Sequence, residues 1–129
     1  MSPDNQVPEE VRRFIEENID NVPQVETLLM MSQEEGRDWQ VSEIAARNYI
    51  AEPRAYEILE VLRRRGLVVR QDEHPGYRYG PATPELRTRV AELARCYQAN
   101  LSRVAMIIHA KPSASIQEFA RAFDLKKDR

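Results

Sequence analysis

The run "SEIAARNYIAEPRAYEILEVLRRRGLVVRQ", from Ser42 to Gln71, constrains the fold more than any other part of the chain. Ser42 is a good N-cap, and Ile44 and Ala45 after it would face inward on a short helix. "RNYI" reads as a turn. Pro53 fits the first turn of a second helix, whose apolar stripe is Ala55, Ile58, Leu59 and Leu62. Gly66 stops that helix, after Arg63, Arg64 and Arg65 at the negative end of its dipole. "LVVRQ" and "YRYG" then form two short β runs around "DEHPG", where Pro75 and Gly76 are turn formers. Tyr77 and Tyr79 alternate with Arg78, so one face of the hairpin packs inward.

The flanks read as helices. Pro8 suits a first helical turn, with Glu9 and Glu10 beside the positive end of the dipole, and Val11, Phe14, Ile15 and Ile19 share one stripe. Asn21 and Pro23 restart the pattern, and Val25, Leu28, Leu29 and Ser32 belong to a second helix that ends near Gly36. "RDWQV" is a short extended piece anchored by Trp39. Thr83 and Pro84 open a long helix. Leu86, Leu93, Asn100 and Ile107 are spaced by sevens on it, and Val90, Tyr97 and Val104 fill the other seam position. That makes about three heptads, the shortest run that argues for a coiled coil. Lys111 and Pro112 end the helix. Ser115 and Glu118 form a capping-box pattern for a tail helix carrying Ile116, Phe119, Ala120 and Phe123. The expected division is residues 1–83 for the helical domain with its hairpin, and residues 84–129 for the long helix and tail helix that join two copies. The class is mostly α with a small β hairpin (α+β).

Several function classes drop out. No apolar run approaches the roughly 20 residues that span a bilayer. The acidic start "MSPDNQVPEE" lacks the basic and apolar parts of a signal peptide, which points to the cytoplasm. Cys96 is the lone cysteine, so it has no intrachain disulfide partner and cannot build a cysteine zinc site; it reads as a packed residue. His74 and His109 have no ligand-spaced neighbour, and four glycines supply no phosphate loop. The residues present form no catalytic constellation, and none calls for a cofactor. No pattern specifies a small-molecule effector.

The order of helix, short strand, helix, turn, helix and hairpin resembles a winged helix-turn-helix domain. "IAARNYIAEPRAYEILEVLRRRGLV" with "HPGYRY" resembles the corresponding stretch of the Rrf2 and MarR families of bacterial repressors. In both, an "IA" helix precedes a recognition helix that ends in leucine, three residues and Gly-Leu-Val. The resemblance covers roughly residues 40–80 and implies a regulator that binds duplex DNA. The long helix after the wing is similar to the dimerisation helix of Rrf2-type proteins and implies a homodimer. The iron–sulfur members of that family carry several cysteines beside this helix; with Cys96 alone, an iron–sulfur sensor is excluded.

A DNA-reading helix is expected to be basic, yet this one carries Glu52, Glu57 and Glu60 beside Arg54. The net charge of −2 is unevenly spread. Residues 1–40 hold 3 basic and 10 acidic side chains, residues 41–80 hold 7 and 6, and residues 81–129 hold 9 and 5. An acidic protein with one cationic face is consistent with that spread. On the second helix, Arg54 is placed to pair with guanine, Tyr56 with a phosphate or thymine methyl, and Glu57 with cytosine. Arg47, Arg70, His74 and Arg78 would hold the phosphates. The dimer seam would be Leu86, Val90, Leu93, Tyr97, Asn100, Val104 and Ile107, with Asn100 setting register. Two blander readings stand beside these: the glutamates are a solvated face paired with nearby arginines, and the long helix packs on the N-terminal helices of its own chain. From another class comes a winged-helix module that binds protein instead of DNA.

Overall fold

The computed structural model describes residues 7–70, 73 and 75–111. His74 and the tail segment with Ser115, Ile116, Glu118, Phe119, Ala120 and Phe123 lie outside the described residues. Helix α1 is Glu9–Asn18, α2 Val22–Ser32, α3 Val41–Asn48 and α4 Glu52–Arg64; the strands are β1 Val68–Arg70 and β2 Tyr77–Tyr79; α5 is Pro84–Ala99 and α6 Leu101–His109.

The ends of these helices follow local chemistry. Pro8 is the N-cap of α1 rather than its first helical residue. The Asn21 side chain accepts from Gln24 N–H at the start of α2. Ser42 is not the cap of α3: Gln40 takes that place, and Glu43 accepts from the Gln40 N–H at 2.9 Å. The acid three residues into the helix therefore outweighs the serine as a start signal. Gly66, at φ +76, turns the chain out of α4 in a backbone state that side chains disfavour.

α3 and α4 pack against each other as a helix-turn-helix, and α4 runs directly into β1. The strands pair antiparallel, with Val69 opposite Arg78. Trp39 extends this sheet: its N–H donates to Tyr77 O at 2.7 Å, and Tyr77 N–H donates back at 2.8 Å. The Trp39 side chain is fully buried, as are Ile15, Leu28, Ile44, Leu59, Leu62 and Tyr77. These residues form one core shared by α1 to α4 and the hairpin.

The expected continuous long helix is broken in the structure. α5 ends at Ala99, and Asn100 at φ −154, ψ 74 changes the chain's direction before α6. The Asn100 side chain accepts from Arg103 N–H, so the residue expected to set register in a seam caps a helix instead. Asparagine does this well because its short side chain reaches backbone N–H groups. Both α5 and α6 pack on α1. Val90, Leu93, Val104 and Ile107 are thereby buried in the chain's own core, while Leu86 and Tyr97 are half-buried against it. The heptad spacing reflects packing inside one chain at these positions. Replacing Asn100 by alanine is expected to lower stability by about 1 kcal/mol. Urea denaturation of N100A measures this, and an unchanged midpoint would show that the cap contributes nothing.

One cluster ties the two halves together at the C-terminal end of α1. Lys111 Nζ donates to Ile15 O and Ile19 O and lies 3.7 Å from Asp20. Arg65, at the end of α4, donates to Asn18 O and pairs with Asp20 at 2.9 Å. Two cations therefore satisfy the carbonyls that end α1. Burial pulls the Lys111 pKa down, against the attraction of Asp20.

Candidate nucleic-acid interface

α4 buries Ala55, Ile58, Leu59 and Leu62 and leaves Arg54, Tyr56 and Glu57 outside. Its 13 residues make a rod of roughly 20 Å, with Glu52 and Pro53 in the exposed first turn. The three residues expected to contact DNA from this helix are therefore all exposed to solvent.

Trp39 and Tyr77 organise the cations around that helix. The Arg47 guanidinium lies 5.5 Å from the Trp39 ring centre, and the Arg70 guanidinium lies 5.9 Å from the Tyr77 ring centre. Because Trp39 and Tyr77 are hydrogen-bonded neighbours, Arg47 and Arg70 flank one aromatic pair. Among the described residues, Arg47, Arg54, Arg64 and Arg70 are exposed and enter no ion pair. Beside Arg70 an open groove of about 480 Å³ runs between the end of α4 and the wing, lined by Arg63, Gly66, Val69 and Gly80.

Arg78 does not join this group. Its guanidinium binds Asp38 at 3.0 Å, on the extended piece before Trp39, so its charge is already neutralised. Arg63 is likewise paired with Glu60 at 2.8 Å.

Glu60 answers part of the question posed by the acids. It accepts from Arg63 and from the Tyr77 hydroxyl at 2.6 Å, which pins β2 to α4. Its carboxyl pKa falls from 4.5 to about 2, first through the Arg63 hydrogen bonds and then through Tyr77. Burial, and then Glu60, pushes the Tyr77 phenol up to about 12. A lowered carboxyl pKa stabilises the fold above the unfolded value near 4.5, and this contribution fades as pH falls toward 2. The E60Q variant is expected to flatten the fall of melting temperature between pH 4.5 and 2. Parallel curves for E60Q and the native chain would show that Glu60 carries no such coupling. Glu52 and Glu57 remain exposed on α4.

Two features escaped the sequence pattern. The partner of Glu60, Tyr77, lies 17 residues away, and only its nearer partner, Arg63, is visible as an i, i+3 spacing. The other is Tyr49, the exposed residue that ends α3. Its signal was an aromatic residue in the turn, where helix ends favour glycine or asparagine.

A helix-turn-helix whose second helix feeds an antiparallel wing, with a third strand position supplied by Trp39, is a winged helix-turn-helix fold. No family model matches the chain, and no curated protein matches it. Among solved structures it is similar to "a MarR family protein from Bacillus stearothermophilus", with 20% sequence identity and a TM-score of 0.46 over 93% of this chain and 81% of that one. Among the described residues, no helix is long and apolar enough to cross a membrane, and no group of three His, Cys, Asp or Glu side chains could hold a metal. Cys96 is half-buried, and burial raises its thiol pKa.

Proposed function

We propose that the chain is a cytoplasmic, DNA-binding transcriptional regulator of the bacterial winged-helix kind, acting on duplex DNA as a homodimer. The observation that carries this reading is the placement of Arg54, Tyr56 and Glu57 on the exposed face of α4, with Arg47 and Arg70 exposed nearby and in no ion pair among the described residues. In this reading α4 enters the major groove. Arg54 pairs with guanine O6 and N7, and Glu57 accepts from a cytosine amino group. Arg47 and Arg70 meet phosphates on either side and fix the helix in place. Glu57 weakens the general attraction to a polyanion and strengthens discrimination among bases.

Among the described residues of α3, α4 and the wing, few cations are free of ion pairs, so a single copy would bind weakly and the reading requires two. The exposed Leu101 and Met106 on α6, and the half-buried Leu86 and Tyr97 on α5, are surfaces that a second copy would cover. A dimer doubles the contacts and places two recognition helices about one helical turn of DNA apart.

Selection of bound sequences from a random duplex library tests this. Enrichment of a two-fold-symmetric motif is expected, with half-sites roughly 10 base pairs apart. A second reading, a protein-binding module built on the same fold, is favoured by the exposed Glu52 and Glu57 and the net charge of −2. That reading predicts no enrichment at all.

A further inference from the structure

Tyr49 is the C-cap of α3, at φ 56 and ψ 44. Among the described residues it alone, apart from glycines, has positive φ. Left-handed backbone is disfavoured for an aromatic residue, and helix ends use glycine or asparagine there. Such strain persists only where something else compensates for it. Packing does not: the residue is 95% exposed, the most open of the large apolar side chains. Exposure of a tyrosine ring in water adds nothing to folding either. Tyr49 therefore costs the local fold through its backbone, and its exposed ring offsets none of that cost.

The surroundings indicate what would use it. Tyr49 sits in the turn that delivers the chain to α4, two residues after Arg47 and five before Arg54, both exposed and free of ion pairs among the described residues. Ala51, the N-cap of α4, has no side chain that can accept from the helix's first N–H groups. A neutral hydroxyl on an exposed ring, in the turn that joins Arg47 to an open helix start and Arg54, suits a phosphate oxygen. It would add a donor without adding charge, which matches an interface poor in cations.

We propose that Tyr49 is a positioning residue that donates its hydroxyl to a backbone phosphate of duplex DNA at the N-terminal end of α4. This rests on the DNA-binding reading above. The contact sets the depth and angle of α4 and carries no sequence information of its own. The strained turn aims the ring away from the protein and toward the nucleic acid.

Y49G and Y49F test the assignment together, in the full chain, against a random-sequence duplex and a selected one. Glycine accepts φ 56, so Y49G is expected to melt at or above the native temperature. Both variants are expected to bind each duplex about tenfold more weakly, because the phenylalanine lacks the donor and the glycine lacks the ring. Native affinity in both variants would overturn the proposal. Loss in Y49G with native affinity in Y49F would overturn the phosphate assignment, since the ring alone would then suffice. A lower melting temperature in Y49G would show that the ring serves the fold. If the native chain binds no duplex, the regulator reading fails and this proposal with it; if the native chain binds and the variants bind equally, only this proposal fails.

Discussion

W39A is expected to lose about 3–5 kcal/mol of stability, the cost of truncating a fully buried large aromatic residue. Domains of this size are held by about 5–15 kcal/mol in total, so the variant sits close to unfolding at room temperature. The loss should be large because Trp39 joins several elements. Its backbone adds a strand to the wing at Tyr77, and its ring lies under the Arg37 guanidinium at 3.6 Å. Arg37 is held in turn by Glu34 at 3.1 Å and Glu43 at 2.9 Å. Removing the ring leaves this cover with nothing beneath it. W39F should lose much less. It keeps an aromatic ring under Arg37, and it removes an indole N–H that is buried without a partner among the described residues. Urea denaturation followed by far-ultraviolet circular dichroism measures both variants. A W39A chain as stable as the native one would mean that Trp39 does not hold the wing to the helix-turn-helix.

R54A is expected to weaken binding to a selected duplex by about tenfold or more while leaving the melting temperature within about 1 °C. A well-made bidentate contact to guanine contributes about 1–3 kcal/mol of discrimination. Arg54 is exposed and unpaired among the described residues, so its removal leaves no orphaned partner in the fold. The loss should be greatest on the selected sequence and smaller on random duplex, because a base contact is lost along with a charge. R78A, by contrast, should bind much as the native chain does, since Arg78 is already neutralised by Asp38. Fluorescence anisotropy with both duplexes separates the two variants. Equal losses in R54A and R78A would displace the proposed surface.

The local part of this architecture was readable because it depends on short-range signals. The apolar stripe Ala55, Ile58, Leu59 and Leu62, the stop at Gly66 and the alternation of Tyr77 with Tyr79 all appear as expected. Three-dimensional pairing was not readable. Asp38 and Arg78 are 40 residues apart, and nothing in their spacing announces an ion pair. The heptads were ambiguous for a related reason. Spacing by sevens shows that one face of a helix is apolar, without saying whether the cover comes from another chain or from α1. Asn100 interrupts that face, and its alternative role, capping α6, depends on a break in the backbone that the pattern does not contain. Glu60 shows both limits. Its charge looked out of place on a helix expected to face DNA until Tyr77 supplied its partner.

Taken with Glu60, the arginines that enter no ion pair among the described residues suggest a division of labour on α4 and the wing. The acid nearest the wing secures the fold; in the proposed reading the residues of the first turns would meet the bases, and Arg47 and Arg70, in no ion pair among the described residues, would meet the phosphates. Glu52 lies in the first turn of α4, where the helix dipole favours an acid. In the proposed reading, only Glu57 remains as an acid that would face the groove.

The most direct test of this account is titration of the full chain against a fluorescently labelled random-sequence duplex, read by anisotropy at two salt concentrations. The account predicts binding at low salt in the range of about 10⁻⁴ to 10⁻⁶ M, weakening steeply as salt rises and phosphate contacts are screened. No binding at low salt, with the chain folded by circular dichroism, would contradict it and leave the exposed face of α4 as a surface for protein.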